Sequence, residues 1–164
     1  MKNLKNTKSV GVDGISVFVL KSCALEIAHI VTHLINKSLC DGKFPTRWKL
    51  SKVIPLFKGG DKNSPHDYRP ISILCTLSKV LERVVHKQLN VYLDRHNVLS
   101  DAQSGFRPKH STTSTLIHVT DQWFDALDKK KYTGVVFVDL KKAFDTVDHD
   151  VLLRKLEIIG IKKN

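Results

Sequence analysis

Two hydrophobic periods alternate along the chain. Ile27, Ile30, Val31, Leu34, Ile35 and Leu39 recur every three or four residues. That spacing predicts an amphipathic helix from about Ala24 to Cys40, with Gly42 after Asp41 as its left-handed cap. Ahead of it, residues 1–12 are polar and basic and predict a loosely ordered start. Val12-Asp13-Gly14-Ile15-Ser16 then predicts a turn entering a helix. Pro45 opens a short turn through Trp48. Leu50 to Phe57 is extended and apolar, but Pro55 interrupts it, so it is an edge strand or ends there. Gly59 to Asp67 is dense in turn formers and predicts a mobile loop. Arg69-Pro70-Ile71-Ser72-Ile73-Leu74 is extended again, and the two runs predict an antiparallel hairpin with a solvated tip.

The broadest apolar stripe follows: Leu77, Val80, Leu81, Val84, Val85, Leu89, Tyr92 and Leu93, with Thr76 or Ser78 as the capping residue. Leu99 to Thr113 reads as a loop. Leu116, Thr120, Trp123, Phe124 and Leu127 share one side of a further helix. Lys129-Lys130-Lys131 places positive charge at its C-terminal end, which suits the helix dipole. Val135-Val136-Phe137-Val138, opened by Gly134, is an unbroken and mostly β-branched run that predicts a buried strand. It delivers a carboxylate, Asp139, to its end. The basic pair Lys141-Lys142 and Phe144 come next. Asp148 is the candidate N-cap of a last helix, lined by Leu152, Leu156 and Ile159 and stopped by Gly160. No repeat, low-complexity tract or linker interrupts the chain.

Composition narrows the class. A chain of 164 residues with 41% hydrophobic residues has the size of one ordinary domain and can bury a core. No apolar run approaches the roughly 18–20 residues that span a membrane, and the N-terminus lacks the apolar stretch of a secretory signal. Cys23, Cys40 and Cys75 are far apart and odd in number, as expected of reduced thiols in an intracellular protein, cytoplasmic or nuclear. The formal net charge is +11, divided as +7 over residues 1–62, +3 over 63–133 and +1 over 134–164. The basic excess therefore lies at the front and the acids gather around Asp139. That polarity suits a polyanion on the N-terminal part and a cation near the C-terminal part.

An acid at the end of an apolar run admits three chemistries. It can cap the following helix, accept a phosphoryl group, or ligate a hard cation such as Mg²⁺, which is held by one or two carboxylates together with substrate phosphates. The residues alone leave these open, and a resemblance favours the last. Phe137-Val138-Asp139-Leu140-Lys141-Lys142-Ala143-Phe144-Asp145 resembles the first catalytic motif of the reverse transcriptases of non-long-terminal-repeat (LINE-like) retrotransposons. Val12 to Ser16 resembles the N-terminal extension motif of that family. Val53-Ile54-Pro55-Leu56-Phe57-Lys58 with Tyr68-Arg69-Pro70-Ile71-Ser72 resembles its fingers hairpin, and Ser78-Lys79-Val80-Leu81-Glu82 the helix after it. Gln103-Ser104-Gly105-Phe106-Arg107 with His110-Ser111-Thr112 resembles the next block. The likeness covers about residues 10 to 160.

This resemblance implies an α+β fold: fingers made of helices plus an antiparallel hairpin, then the first strand and helix of a palm. Residues 1–133 would be the N-terminal extension and fingers, and residues 134–164 the start of the palm. It implies template-directed nucleotidyl transfer with an RNA template, a DNA primer and dNTPs as partners. Asp139 would be the catalytic acid and, with the Leu140 carbonyl, a ligand of two Mg²⁺ ions. Lys58 and Arg69 would grip the triphosphate, with Leu140 and Phe144 also at the nucleotide. Phe144 would close the pocket under the sugar. Gln103, Gly105, Phe106 and Arg107 would lie along the template. Plainer readings stand beside these: an exposed basic hairpin, core packing of Phe144, and a loop anchored by burial of Phe106. The family's second acidic motif, Tyr- or Phe-Ala-Asp-Asp, does not occur in these residues. The expectation is therefore a truncated polymerase that is inactive by itself. The rivals are a non-catalytic nucleic-acid-binding remnant and, more remotely, a receiver-like domain phosphorylated on Asp139.

Overall fold

The computed structural model describes residues 1, 4, 5, 7, 10–140 and 143–162. Two compact units divide the chain, one within residues 1–91 and one over Tyr92–Lys162. The fold class is α+β, helices with a two-stranded antiparallel hairpin.

In the first unit, Ser16 caps helix α1 (Val17–Ser22) by accepting the Val19 N–H at 3.2 Å. Helix α2 spans Ala28–Cys40 and starts later than the periodicity implied. Residues 23–27 are instead taken up in closing α1, where the Cys23 N–H bonds Val19 O and the Ala24 N–H bonds Lys21 O. Gly42 ends α2 in the left-handed region, φ 59°, and the Lys43 N–H reaches back to Ser38 O at 3.0 Å. A 3₁₀ turn, Thr46–Lys49, leads to the hairpin. Helix α3 (Thr76–Arg95) begins in this unit and ends in the second.

The core lies among these helices. Leu20 of α1, Val31 and Ile35 of α2, and Val80 and Leu81 of α3 are buried together, each contributing roughly 1.5–3 kcal/mol by leaving water. Met1 and Leu4 pack against this cluster, so the described part of the N-terminal stretch is not the loose start that its polarity suggested.

Neither Thr76 nor Ser78 caps α3 with its side chain. The Thr76 hydroxyl donates to Ile15 O at 2.7 Å, and the Ser78 hydroxyl donates to Glu82 Oε1 at 2.7 Å. The caps come from elsewhere. Asp13 Oδ2 accepts the Thr76 N–H at 3.2 Å, and Cys75 Sγ accepts the Ser78 N–H at 3.4 Å. A carboxylate 63 residues away in sequence thus meets the positive end of α3.

Strands β1 (Ser51–Phe57) and β2 (Tyr68–Leu74) pair antiparallel, from Ser51↔Leu74 to Phe57↔Tyr68. Pro55 lies opposite Pro70. Proline has no N–H to exchange, so this is a non-hydrogen-bonded pair, and the ladder keeps its bonds at the flanking pairs.

The second unit holds the end of α3, α4 (Thr112–Asp128) and α5 (His149–Ile158). Ser111 and Ser114 form a capping box at the start of α4. Asp148 caps α5 as expected, accepting the N–H groups of Asp150 and Val151. The Tyr92 hydroxyl donates to Ile159 O at 2.6 Å. No described residue of 92–162 is buried.

The expected strand over Val135–Val138 is absent: residues 131–140 carry no regular secondary structure. Val136, Phe137 and Val138 are 86%, 88% and 79% exposed. A strand forms by laddering with a neighbour, and among the described residues β1 and β2 pair only with each other. Lys141 and Lys142 lie outside the described residues.

Candidate functional site

Lys58 directly follows β1. Its N–H donates to Asp67 O at 2.9 Å, which extends the ladder one pair beyond Phe57↔Tyr68. Side chains alternate across a strand, so Lys58 shares a face with Leu56 and with the partner of Leu56, Arg69. The two cations are therefore diagonal neighbours on one face at the loop end of the hairpin, and both are exposed. The opposite face is closed there by Phe57 and Tyr68, whose rings lie 5.3 Å apart.

The loop between them is held by its own side chains. Asp67 Oδ2 accepts the Asp61 N–H at 2.9 Å, Asp61 Oδ1 accepts the Asn63 N–H at 2.9 Å, and the Tyr68 hydroxyl donates to Lys62 O at 2.9 Å. The mobile loop expected from its composition is thus a bonded one.

The other candidates lie in the second unit. Arg107 braces its own loop, donating from one guanidinium nitrogen to Ser100 O at 3.0 Å and Gln103 O at 3.4 Å. Gln103 Nε2 donates to Gly105 O at 3.2 Å. The loop so fixed presents Phe106 outward, at φ 61° and 91% exposed. Phe106 meets Phe144 edge to face, with centroids 6.1 Å apart and planes at 84°. Phe144 is itself 81% exposed. Neither ring serves as core, so neither plainer reading, burial of Phe106 or core packing of Phe144, describes this structure.

Asp139 and Leu140 lie exposed in the irregular segment 131–140. The desolvation problem posed by an acid on a buried strand does not arise. A carboxylate with a neighbouring carbonyl offers the hard oxygens that Mg²⁺ takes. Among the described residues, however, no three His, Cys, Asp or Glu side chains come together as a metal site. One acid is too few to fix two ions, so no chemical step is derived through a metal for this chain. Lys58 and Arg69 belong to the first unit, and Asp139, Leu140, Phe144, Gln103, Gly105, Phe106 and Arg107 to the second.

The family profile described as "Reverse transcriptase (RNA-dependent DNA polymerase)" matches residues 60–164. The chain belongs to the reverse transcriptase family. Several of its relatives among curated proteins are polymerases of mobile elements, which bears out the resemblance to the non-long-terminal-repeat class. A probable RNA-directed DNA polymerase from transposon BS of Drosophila melanogaster is 35% identical over 96% of this chain and 17% of that protein. The RNA-directed DNA polymerase from mobile element jockey of the same organism is 33% identical over 87% of this chain and 15% of its own length. A Pol polyprotein from type-1 retrotransposable element R2 of Popillia japonica is 29% identical over 92% and 20%. The chain thus spans about a sixth of the curated reverse transcriptase relatives it matches. No helix is long and apolar enough to cross a membrane among the described residues.

Local patterning offered Thr76 as a cap and Asp13 as part of a turn, but it did not link the two. The motif that contains Asp13 was legible, but its contact with Thr76 spans 63 residues, and no periodicity carries that.

Proposed function

We propose that this chain is a fragment of the polymerase domain of a non-long-terminal-repeat retrotransposon reverse transcriptase. Its parent would perform template-directed nucleotidyl transfer with an RNA template, a DNA primer and dNTPs. Residues 1–133 would supply the N-terminal extension and fingers, and residues 134–164 the start of the palm. The observation that carries the reading is the family match across the segment that holds Asp139.

The chain's own residues take these parts in the proposal. Lys58 and Arg69, neighbours on one hairpin face, contact the triphosphate: Arg as a planar fork, Lys as a point charge. Phe144 packs under the sugar of the incoming nucleotide. Phe106, held outward by the Arg107-braced loop, faces the template with Gln103 and Gly105. Asp139 and the Leu140 carbonyl are the ligands this segment contributes to Mg²⁺. Two such ions, when bound in the complete enzyme, stabilise the attacking and leaving oxygens. The setting is intracellular, cytoplasmic or nuclear, where the three partners meet.

The test is a chimera in which residues 1–164 replace the matching segment of the transposon BS relative. Primer extension on an RNA template is expected from the chimera and a loss of about a hundred- to a thousandfold from its Asp139→Asn variant, the scale of removing an essential charge-stabilising group. Equal extension by both would sink the assignment of Asp139. The isolated 164-residue chain is expected not to extend an annealed primer with Mg²⁺ and dNTPs.

A further inference from the structure

The five residues Val12–Ser16 form a bonded strap across the joint between β2 and α3. Both carboxylate oxygens of Asp13 are engaged: Oδ1 accepts the Ile15 N–H at 3.3 Å, and Oδ2 accepts the Thr76 N–H at 3.2 Å. The Thr76 hydroxyl returns a bond to Ile15 O at 2.7 Å. Gly11 seats the strap so closely that a Cβ there would stand 2.8 Å from both Leu74 O and Cys75 Cα. Cys75, Thr76 and Ser78 are 1%, 1% and 0% exposed, among the most buried residues of the chain.

This joint is one residue long. β2 ends at Leu74 and α3 starts at Thr76. The torsions around Cys75 therefore decide the direction in which the hairpin leaves the helix. Among the described residues the hairpin has no third strand to hold it, and its residues Val53, Ile54, Leu56 and Ile71 are exposed. Its direction is thus controlled at its base. Lys58 and Arg69 stand at the far end of that lever, at the opposite end of the ladder from Ser51↔Leu74.

We propose that Asp13 and Thr76 are positioning residues: by clamping the joint at Cys75 they set the direction of the hairpin, and so where Lys58 and Arg69 are presented. The role in presenting cations rests on the reading of Lys58 and Arg69 as a triphosphate grip. The clamp itself does not.

The test uses the full 164-residue chain. Spin labels at Asn63→Cys and Lys87→Cys, with Cys23 and Cys40 replaced by Ser, report the spread of hairpin directions relative to α3. A single narrow distance distribution is expected for the parent and for Thr76→Ser, which keeps the hydroxyl. Asp13→Ala and Thr76→Val are expected to broaden it, with the far-UV helical signal retained. Unchanged distributions in both variants, or broadening in Thr76→Ser equal to that in Thr76→Val, would overturn the clamp. A core variant, Leu81→Ala, controls for general loss of stability: broadening in it as great as in Asp13→Ala would also count against the proposal.

The second arm titrates inorganic tripolyphosphate by ³¹P NMR. Asp13→Ala and Thr76→Val are expected to weaken binding three- to tenfold, and Thr76→Ser to restore it. If the parent does not bind tripolyphosphate, or Lys58→Ala/Arg69→Ala binds it equally well, the grip reading fails, while the distance arm still decides the clamp. If the parent binds and the clamp variants bind as tightly, the positioning role is overturned.

Discussion

The hydrogen on Gly11 occupies a space that no side chain can share. A methyl group would meet the Leu74 carbonyl oxygen and the Cys75 backbone, neither of which can rotate away. Gly11→Ala is expected to cost about 1–3 kcal/mol, the range for forcing extra volume into a packed site. Urea denaturation would show it as a lowered midpoint, and an unchanged midpoint would mean the strap shifts freely. Beneath Gly11, burial pushes the Cys75 thiol above its ordinary range. Less thiolate at pH 8 and no access for a reagent both act in the same direction. Iodoacetamide is expected to modify the exposed Cys23 and Cys40 first and Cys75 only slowly. Peptide mapping over time would check the order, and equal rates at all three would contradict the buried joint.

At the scale of elements, the helices differ in what supports them. α1, α2 and the first half of α3 bury apolar residues together, whereas α4 and α5 bury none. The capping box of Ser111 and Ser114 is therefore a large share of what defines the start of α4. Ser111→Ala is expected to cost about 0.5–2 kcal/mol locally, seen as a fall in helical ellipticity. No measurable change would show that α4 is held by packing instead. The same contrast explains what was legible in the sequence. Periodicity gave α2, α3, α4 and α5, and turn chemistry gave the hairpin and the Asp148 cap, because those signals are local. Val135 to Val138 was misread as a formed strand because an apolar β-branched run encodes a demand for a partner, and the partner is another element. The cap of α3 is not legible locally because the carboxylate that accepts the Thr76 N–H, Asp13, lies far along the chain. At the candidate site, Lys58 and Arg69 were legible through the motif resemblance, whereas their diagonal placement comes from the observed hairpin register. The ring contact of Phe106 with Phe144 followed from no pattern, since their loops are separated by α4.

For the whole molecule the dominant quantity is charge. A formal +11, concentrated in residues 1–62, favours a polyanionic partner. Binding to single-stranded RNA is expected to weaken with salt, with a log–log slope of about −0.7 per phosphate neutralised. Replacing Lys58 and Arg69 together by Ala should make the slope shallower by roughly 1.4, two phosphates' worth. A slope near zero in the parent would remove nucleic-acid binding from the functional reading. So basic a chain also has to keep its open strands from joining those of its neighbours. Here the facing prolines, Pro55 and Pro70, matter in a second way. At a non-hydrogen-bonded pair the amide hydrogens point away from the partner strand, toward the free margins. Proline has none to point. Each margin of the hairpin is thus blank at its centre, so an incoming strand would find the donor row broken midway. The kink in the pattern that argues against a long strand is also a guard against fibre growth.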